Sequence, residues 1–181
     1  MNALSTKKLL IAGLAVATMA LTGCLTDDKK DSTPTDPAVK IAFESMNDTI
    51  WNLQGPKKGA FDLLGDSAVS ASKSDSIKDA KDMSSVGTSA IVFPKTWTST
   101  NGTMFVTAAA GFSYDSATDS TAIRGYKAGT PSATTKVLAA GDIILAKIRG
   151  GSKYAVIKIK TVTETSADNL DFVAFSYKRT P

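Results

Sequence analysis

Alternation with a period of two dominates the last third of the chain. In "DIILAKIR" and "SKYAVIKIKTVTE" apolar residues recur at every second position, and "LDFVAFSYK" follows in the same style. Each run has strand length and none keeps helical spacing. Gly150-Gly151, between the first two, predicts a two-residue hairpin turn because both positions accept positive φ. That turn sets Arg149 opposite Ser152, Lys147 opposite Tyr154, Leu145 opposite Val156 and Ile144 opposite Ile157. One face then carries Ile144, Ala146 and Ile148 with Ala155, Ile157 and Ile159, which is a core face. A three-residue loop of Ser166-Ala167-Asp168 adds Val173, Phe175 and Tyr177 to it. A loop one residue longer would turn those three towards Lys158 and Lys160, so the shorter loop is expected.

Upstream, short apolar runs alternate with turn signals. "GAFDLLGDSAVSAS" predicts a hairpin turning at Gly65-Asp66, and "SAIVF" a strand stopped by Pro94. "KTWTSTNGTMFVTA" predicts a second hairpin with Asn101-Gly102 at its tip. "DSATDSTAIRGYKAG" predicts one short helix, capped by Asp119 or Ser120 and ended near Gly129. "SKSDSIKDAKDMSSVG" is polar and reads as a long loop with at most a helical turn. There is no internal repeat. The expected fold class is all-β, an antiparallel β-sandwich over residues 39–181 with one short helix, preceded by a disordered stalk.

The first residues lie outside this pattern. "MNALSTKK" carries two lysines and no acid, and residues 9–22 are uncharged and mostly apolar. That run is shorter than the roughly 20 residues a spanning helix needs. Residues 1–23 therefore read as a secretory signal peptide. Its end, Leu21-Thr22-Gly23-Cys24, resembles the lipobox of bacterial lipoproteins, in which cleavage precedes the cysteine and the cysteine is lipidated. Cys24 is the single cysteine of the 181 residues, so no internal disulfide competes for it. Two or more acyl chains on one residue hold a protein on a membrane where one chain would not. Residues 24–38, "CLTDDKKDSTPTDPA", are polar and charged, the composition of a flexible linker. Leu25 following the cysteine and the Asp27-Asp28 pair resemble outer-membrane and surface sorting signals of such lipoproteins. Two of the lysines leave with the leader, which lowers the formal charge of +4 towards neutrality and argues against nucleic acid as partner.

"GDIILAKIRGGSKYAVIKIKTVTETSADNLDFVAFSYK", with the upstream "TSTNGT", is similar to the C-terminal strands of HmuY-like lipoproteins, a family of β-rich proteins anchored outside bacteria. The likeness covers the last third of the chain well and the middle poorly. It implies a sandwich that captures a ligand. Known members bind haem through axial histidines or methionines. This chain has no histidine, so a haem here would need sulfur or phenolate. The methionines beyond the leader are Met46, Met83 and Met104, of which Met83 and Met104 are the candidates. Methionines at irregular positions more often fill gaps in a core.

Residue content removes several chemistries. A Ser-His or Cys-His nucleophile lacks its base, and a zinc site of His or Cys lacks its ligands. Glu44 and Glu164 are the only glutamates, and the aspartates fall mainly in predicted loops, where they form turns. The pair Asp115-x-x-x-Asp119 reads as a turn and helix cap rather than a calcium loop. No catalytic group is assigned and no cofactor is required. The outer face of the C-terminal sheet, with Lys147, Tyr154 and Lys158 beside Leu145 and Val156, is the other candidate for a ligand. The competing account is a further layer covering its apolar part. Trp51 and Trp97 pose the same choice between sugar platform and core filler. The expectation is a non-catalytic lipoprotein that binds a small ligand, a glycan or another envelope protein.

Overall fold

A computed structural model describes residues 39–86, 91–165 and 168–181. The predicted leader 1–23 with Leu21, Thr22 and Gly23, the lipidation residue Cys24 and the linker to residue 38 lie outside the described residues. So do Ser166-Ala167 of the predicted loop and Ser89-Ala90 at the head of "SAIVF".

The chain forms an all-β sandwich of two antiparallel sheets with one α-helix. The alternating runs around the C-terminal hairpin supply its centre: β9 (Ile143–Lys147) and β10 (Tyr154–Thr163), flanked by β11 (Phe172–Arg179). With β1 (Phe43–Trp51) and β8 (Met104–Thr107) they make a five-stranded sheet in the order β1-β11-β10-β9-β8. The smaller sheet has the order β3-β2-β4-β7, from β2 (Ala60–Asp62), β3 (Ser67–Val69), β4 (Ala80–Asp82) and β7 (Trp97–Thr98). β5 (Ser85–Val86) and β6 (Ile91–Val92) pair as a separate ribbon.

The register around the C-terminal hairpin is the expected one: Lys147 faces Tyr154, Leu145 faces Val156 and Ile144 faces Ile157. The tip differs. Arg149 (φ 50°) and Gly150 (φ 65°) take left-handed conformations, and the Gly151 amide bonds the Ile148 carbonyl at 2.9 Å. The tight turn is therefore centred on Arg149-Gly150, with Gly151 and Ser152 looping out before Lys153. β10 and β11 pair with Ile157 opposite Tyr177 and Ile159 opposite Phe175, then shift by one residue at a bulge before Thr161. Val173, Phe175 and Tyr177 stay on the core face.

That face meets the smaller sheet through aromatic rings. Phe61 lies edge-on to Phe175 at 5.2 Å and to Tyr177 at 5.8 Å, and Trp97 lies edge-on to Phe175 at 5.2 Å. Trp97 is 0% exposed, so this tryptophan is core filler. The opposite face of the large sheet is covered by α1 (Asp119–Ala128) and its flanking loop. Tyr126, Ala122, Ala117, Tyr114 and Ile41 pack on Leu145, Tyr154 and Val156. The cap of α1 is Thr118, one residue before the expected positions, because Thr118 and Thr121 bond each other's backbone amides in a reciprocal box.

Asn101-Gly102 turns the chain but does not make a hairpin. β7 belongs to the small sheet and β8 to the large one, and Ser132–Thr135 lies between them. Ser99 and Phe105 donate to Ala133 and Ser132 at 2.9 and 2.7 Å, and Thr135 donates to Trp97 at 2.9 Å. This segment joins the two sheets along one side. The expected polar loop 72–87 contains the predicted helical turn (Asp75–Ile77) but also β4, a central strand of the small sheet. The hairpin at "FDLLGDSAV" exists with Asp62 opposite Ser67, so its four-residue loop is Leu63–Asp66.

A buried ion cluster fixes one end of the sandwich. Asp79 is 0% exposed, and its Oδ1 accepts from Arg149 Nε (2.8 Å), Asn101 Nδ2 (2.8 Å) and Thr103 Oγ1 (3.0 Å). Its Oδ2 accepts from Arg149 Nη2 (2.9 Å) and the Leu63 amide (2.8 Å), while Arg149 Nη2 also reaches Asp62 Oδ1 at 2.6 Å. The carboxylates hold the guanidinium, and the Arg149 amide donates to Thr103 Oγ1 at 3.0 Å. This explains why Arg149 occupies the strained tip position.

Candidate functional site

On the side opposite Ser132–Thr135 the sandwich is not zipped shut. β1 and β3 are the outermost strands of their sheets and do not pair with each other. Hydrogen bonds close the seam at its ends. At one end the Trp51 amide donates to the Lys58 carbonyl at 3.1 Å. At the other, Tyr177 Oη donates to the Leu63 carbonyl (3.0 Å) and to Asp66 Oδ1 (3.1 Å), and Arg179 donates to the carbonyls of Leu63 and Leu64. Between these ends lies a cleft of about 550 Å³, bordered by Asn47, Asp48, Trp51, Lys57, Phe61 and Asp66 among others.

The local sequence explains its shape. "FESMNDTIW" would alternate as one strand, but pairing of β1 with β11 breaks between Ser45 and Asp48. Asn47 takes φ 66° there, a left-handed conformation that asparagine tolerates. The bulge re-aims β1 so that Asp48 and Ile50 share the inner side, with Ile50 in the core and Asp48 on the seam. Across from it, the loop between β2 and β3 ends on Asp66, also left-handed at φ 48°.

The cleft wall mixes acids, amines and an aromatic ring. Asp48 Oδ2 is shielded from solvent and accepts no hydrogen bond from the described residues. Burial raises the pKa of its carboxyl, the Ser45 hydroxyl opposes this, and the charge of Asp66 adds to it. Burial and the neighbouring Asp66 likewise push the Tyr177 phenol upward. Among the described residues no lysine or arginine forms a salt bridge with Asp48 or Asp66. The nearby amines have other partners: Lys57 Nζ stands 5.8 Å from the Trp51 ring centroid, and Lys160 Nζ donates to Asn47 Oδ1 at 2.9 Å. Trp51 is half-buried and packs on Phe172 at 4.7 Å.

The other residues singled out in the sequence fall elsewhere. Lys147 and Tyr154 are paired, but Tyr154 is buried against Tyr126 (5.3 Å, edge-on) under α1. Lys158 Nζ lies 5.5 Å from the Tyr114 ring, which Lys178 also faces at 4.8 Å. The helix layer thus takes up the apolar part of this face, and the lysine stems and amines pack on it. Met104 packs with that outer layer, whereas Met83 follows β4 of the other sheet and is 41% exposed. The core separates the two layers, so these methionines do not bracket a common slot and do not suit a bis-methionine haem. Among the described residues no group of three or more His, Cys, Asp or Glu is placed to hold a metal ion.

The sequence singles out Trp51 as a ligand candidate and Asp66 only as a turn residue, and it does not mark Asn47, Asp48 or Lys57. The available signal was the break in alternation at "MND", two residues before the tryptophan. Comparison with protein-family models, curated proteins and solved structures finds no match for this chain.

Proposed function

We propose that this protein is a cell-envelope lipoprotein, cleaved before Cys24 and lipidated there, that carries residues 39–181 as a non-catalytic ligand-binding module of HmuY-like type. The lipobox-like Leu21-Thr22-Gly23-Cys24 and the polar linker support the anchoring half of this reading, with the outer membrane or cell surface as its place. Among the described residues no helix is long and apolar enough to cross a membrane. The binding half rests on one observation: the seam between β1 and β3 is an open cleft lined by unneutralised acids and a half-buried tryptophan. In place of haem, this reading puts a ligand that meets polar walls.

The two halves are tested separately. Cys24→Ala should leave the precursor unprocessed or release the protein from the membrane fraction. Unchanged processing and attachment would refute the anchor. For binding, the two tryptophans differ usefully, since Trp97 is sealed in the core and Trp51 lines the cleft. A cleft ligand should change the emission of the full-length protein, and the change should vanish in Trp51→Phe. Haemin should produce no saturable absorbance shift; one that disappears with Met83 or Met104 replaced would restore the haem reading.

A further inference from the structure

The seam cleft sets hydrogen-bond acceptors and donors side by side; Asp66 Oδ1 takes the Tyr177 hydroxyl and Asn47 Oδ1 the Lys160 amine. Asp48 and Asp66 contribute carboxylates outside any salt bridge among the described residues, and Asn47, Lys57 and Ser67 contribute an amide, an amine and a hydroxyl. A cationic ligand attracted by the acids meets Lys57 and Lys58 on the same wall. An anionic ligand attracted by the amines meets Asp48 and Asp66. Haem and other flat apolar ligands would desolvate all of these groups without replacing their hydrogen bonds, at considerable cost.

A neutral polyhydroxylated ligand escapes this conflict, because every hydroxyl both donates and accepts. It can donate to the carboxylates and accept from the amine and amide in a single pose. The Asp48 carboxylate borders the cleft, and its solvent-shielded Oδ2 has no donor among the described residues. The Trp51 indole supplies the remaining requirement, an aromatic wall for the apolar C–H face of a sugar ring. At about 550 Å³ the cleft falls in the range of ordinary ligand pockets and takes a few sugar units rather than a macromolecule.

We infer that the β1–β3 seam is a subsite for neutral glycan, in which Asp48 and Asp66 receive sugar hydroxyls and Trp51 stacks beneath the ring, Lys57 being displaced from it on binding. This inference rests on the ligand-binding reading and gives it a chemical class.

The test uses the full-length protein in detergent, titrated with neutral cello-, xylo-, malto- and manno-tetraose, and in parallel with a chitosan tetramer, a galacturonate tetramer and haemin. Trp51 emission and calorimetry are read together. At least one neutral tetramer should bind saturably, one to one. Asp48→Asn and Asp66→Asn should each weaken it roughly tenfold or more, the ratio expected for losing a hydrogen bond to a charged acceptor. Trp51→Phe should keep calorimetric binding while losing the optical signal, and Trp51→Ala should lose both. Circular dichroism of each variant establishes that the fold is retained. Neutral binding unchanged by the Asp48, Asp66 and Trp51 variants would overturn the assignment. Binding of a charged tetramer or haemin at the seam in preference to every neutral one would overturn the ligand class and leave the binding module standing. Absence of binding and of any Trp51 response across the whole panel would overturn both.

Discussion

Replacing Arg149 by methionine removes the cation bonded to Asp79 while keeping most of the side-chain volume. Asp79 is fully buried and would retain three neutral donors: the Leu63 amide, Asn101 and Thr103. Removing one partner of a buried ion pair costs about 3–5 kcal/mol. The surviving donors place this case near the lower end, about 3 kcal/mol, or roughly two orders of magnitude in the folded-to-unfolded ratio. In the converse variant, Asp79→Asn, Arg149 keeps Asp62 at 2.6 Å and is partly exposed, so the loss should be smaller, about 2 kcal/mol. Urea denaturation followed by circular dichroism would give both values, and the double variant completes the cycle. Because Arg149→Met strands the buried Asp79 charge, which the double change removes, the double variant should lie at least about 1 kcal/mol above the additive sum. The effect should persist in high salt, since screening acts weakly on buried pairs. A cost below about 1 kcal/mol for Arg149→Met, or strict additivity, would show that the cluster does not hold this end of the sandwich.

Three further outcomes follow from local geometry. Asp48 in the folded protein titrates above its usual 3.8, so the folded state binds this proton more tightly and stability falls as pH rises from 3.8 through the raised value. Asp48→Asn should therefore stabilise the protein at neutral pH, with the gain disappearing below pH 3.8; a gain independent of pH would contradict the assignment. Asp82, raised by burial in the same sense, would leave a residual slope in that variant. Thr118→Ala removes half of the capping box and should cost about 1 kcal/mol, read from thermal unfolding, with no loss if the cap is idle. Gly129→Ala would place a methyl 2.2 Å from Val106 Cγ1, so overpacking should cost about 1–3 kcal/mol and be partly rescued by Val106→Ala.

Legibility in the sequence followed the range of the interactions. The core face of the C-terminal hairpin could be read because nearest-neighbour alternation carries it and a wrong register would expose every apolar side chain. Its tip could not, because the groups that pull Arg149 into place, Asp79 and Asp62, are 70 and 87 residues away. Asn101-Gly102 was recognised as a turn, but the segment that separates its two strands comes from Ser132–Thr135. β4 was hidden because its neighbourhood is polar. Asp79 and Asp82 are buried as acceptors for backbone amides, including Leu63 and Leu53, where a loop aspartate would be expected in water. The seam cleft was half visible: Trp51 stood out by type, whereas Asp48 and Asp66 acquire meaning only when β1 and the loop before β3 face each other.

The pairing of β1 with β11 joins the first strand of the domain to the last. A chain delivered from its N-terminus presents Phe43–Trp51 early and must wait for Phe172–Arg179 before that strand finds its neighbour. Closing so long a loop is an entropic barrier that is crossed only once β11 is present. Until then residues 43–51 form an unpaired edge, and the seam they border does not exist. The domain should therefore fold only after Phe172–Arg179 has been made. Truncation within the last eight-residue strand should abolish the whole sheet's cooperativity instead of trimming its edge.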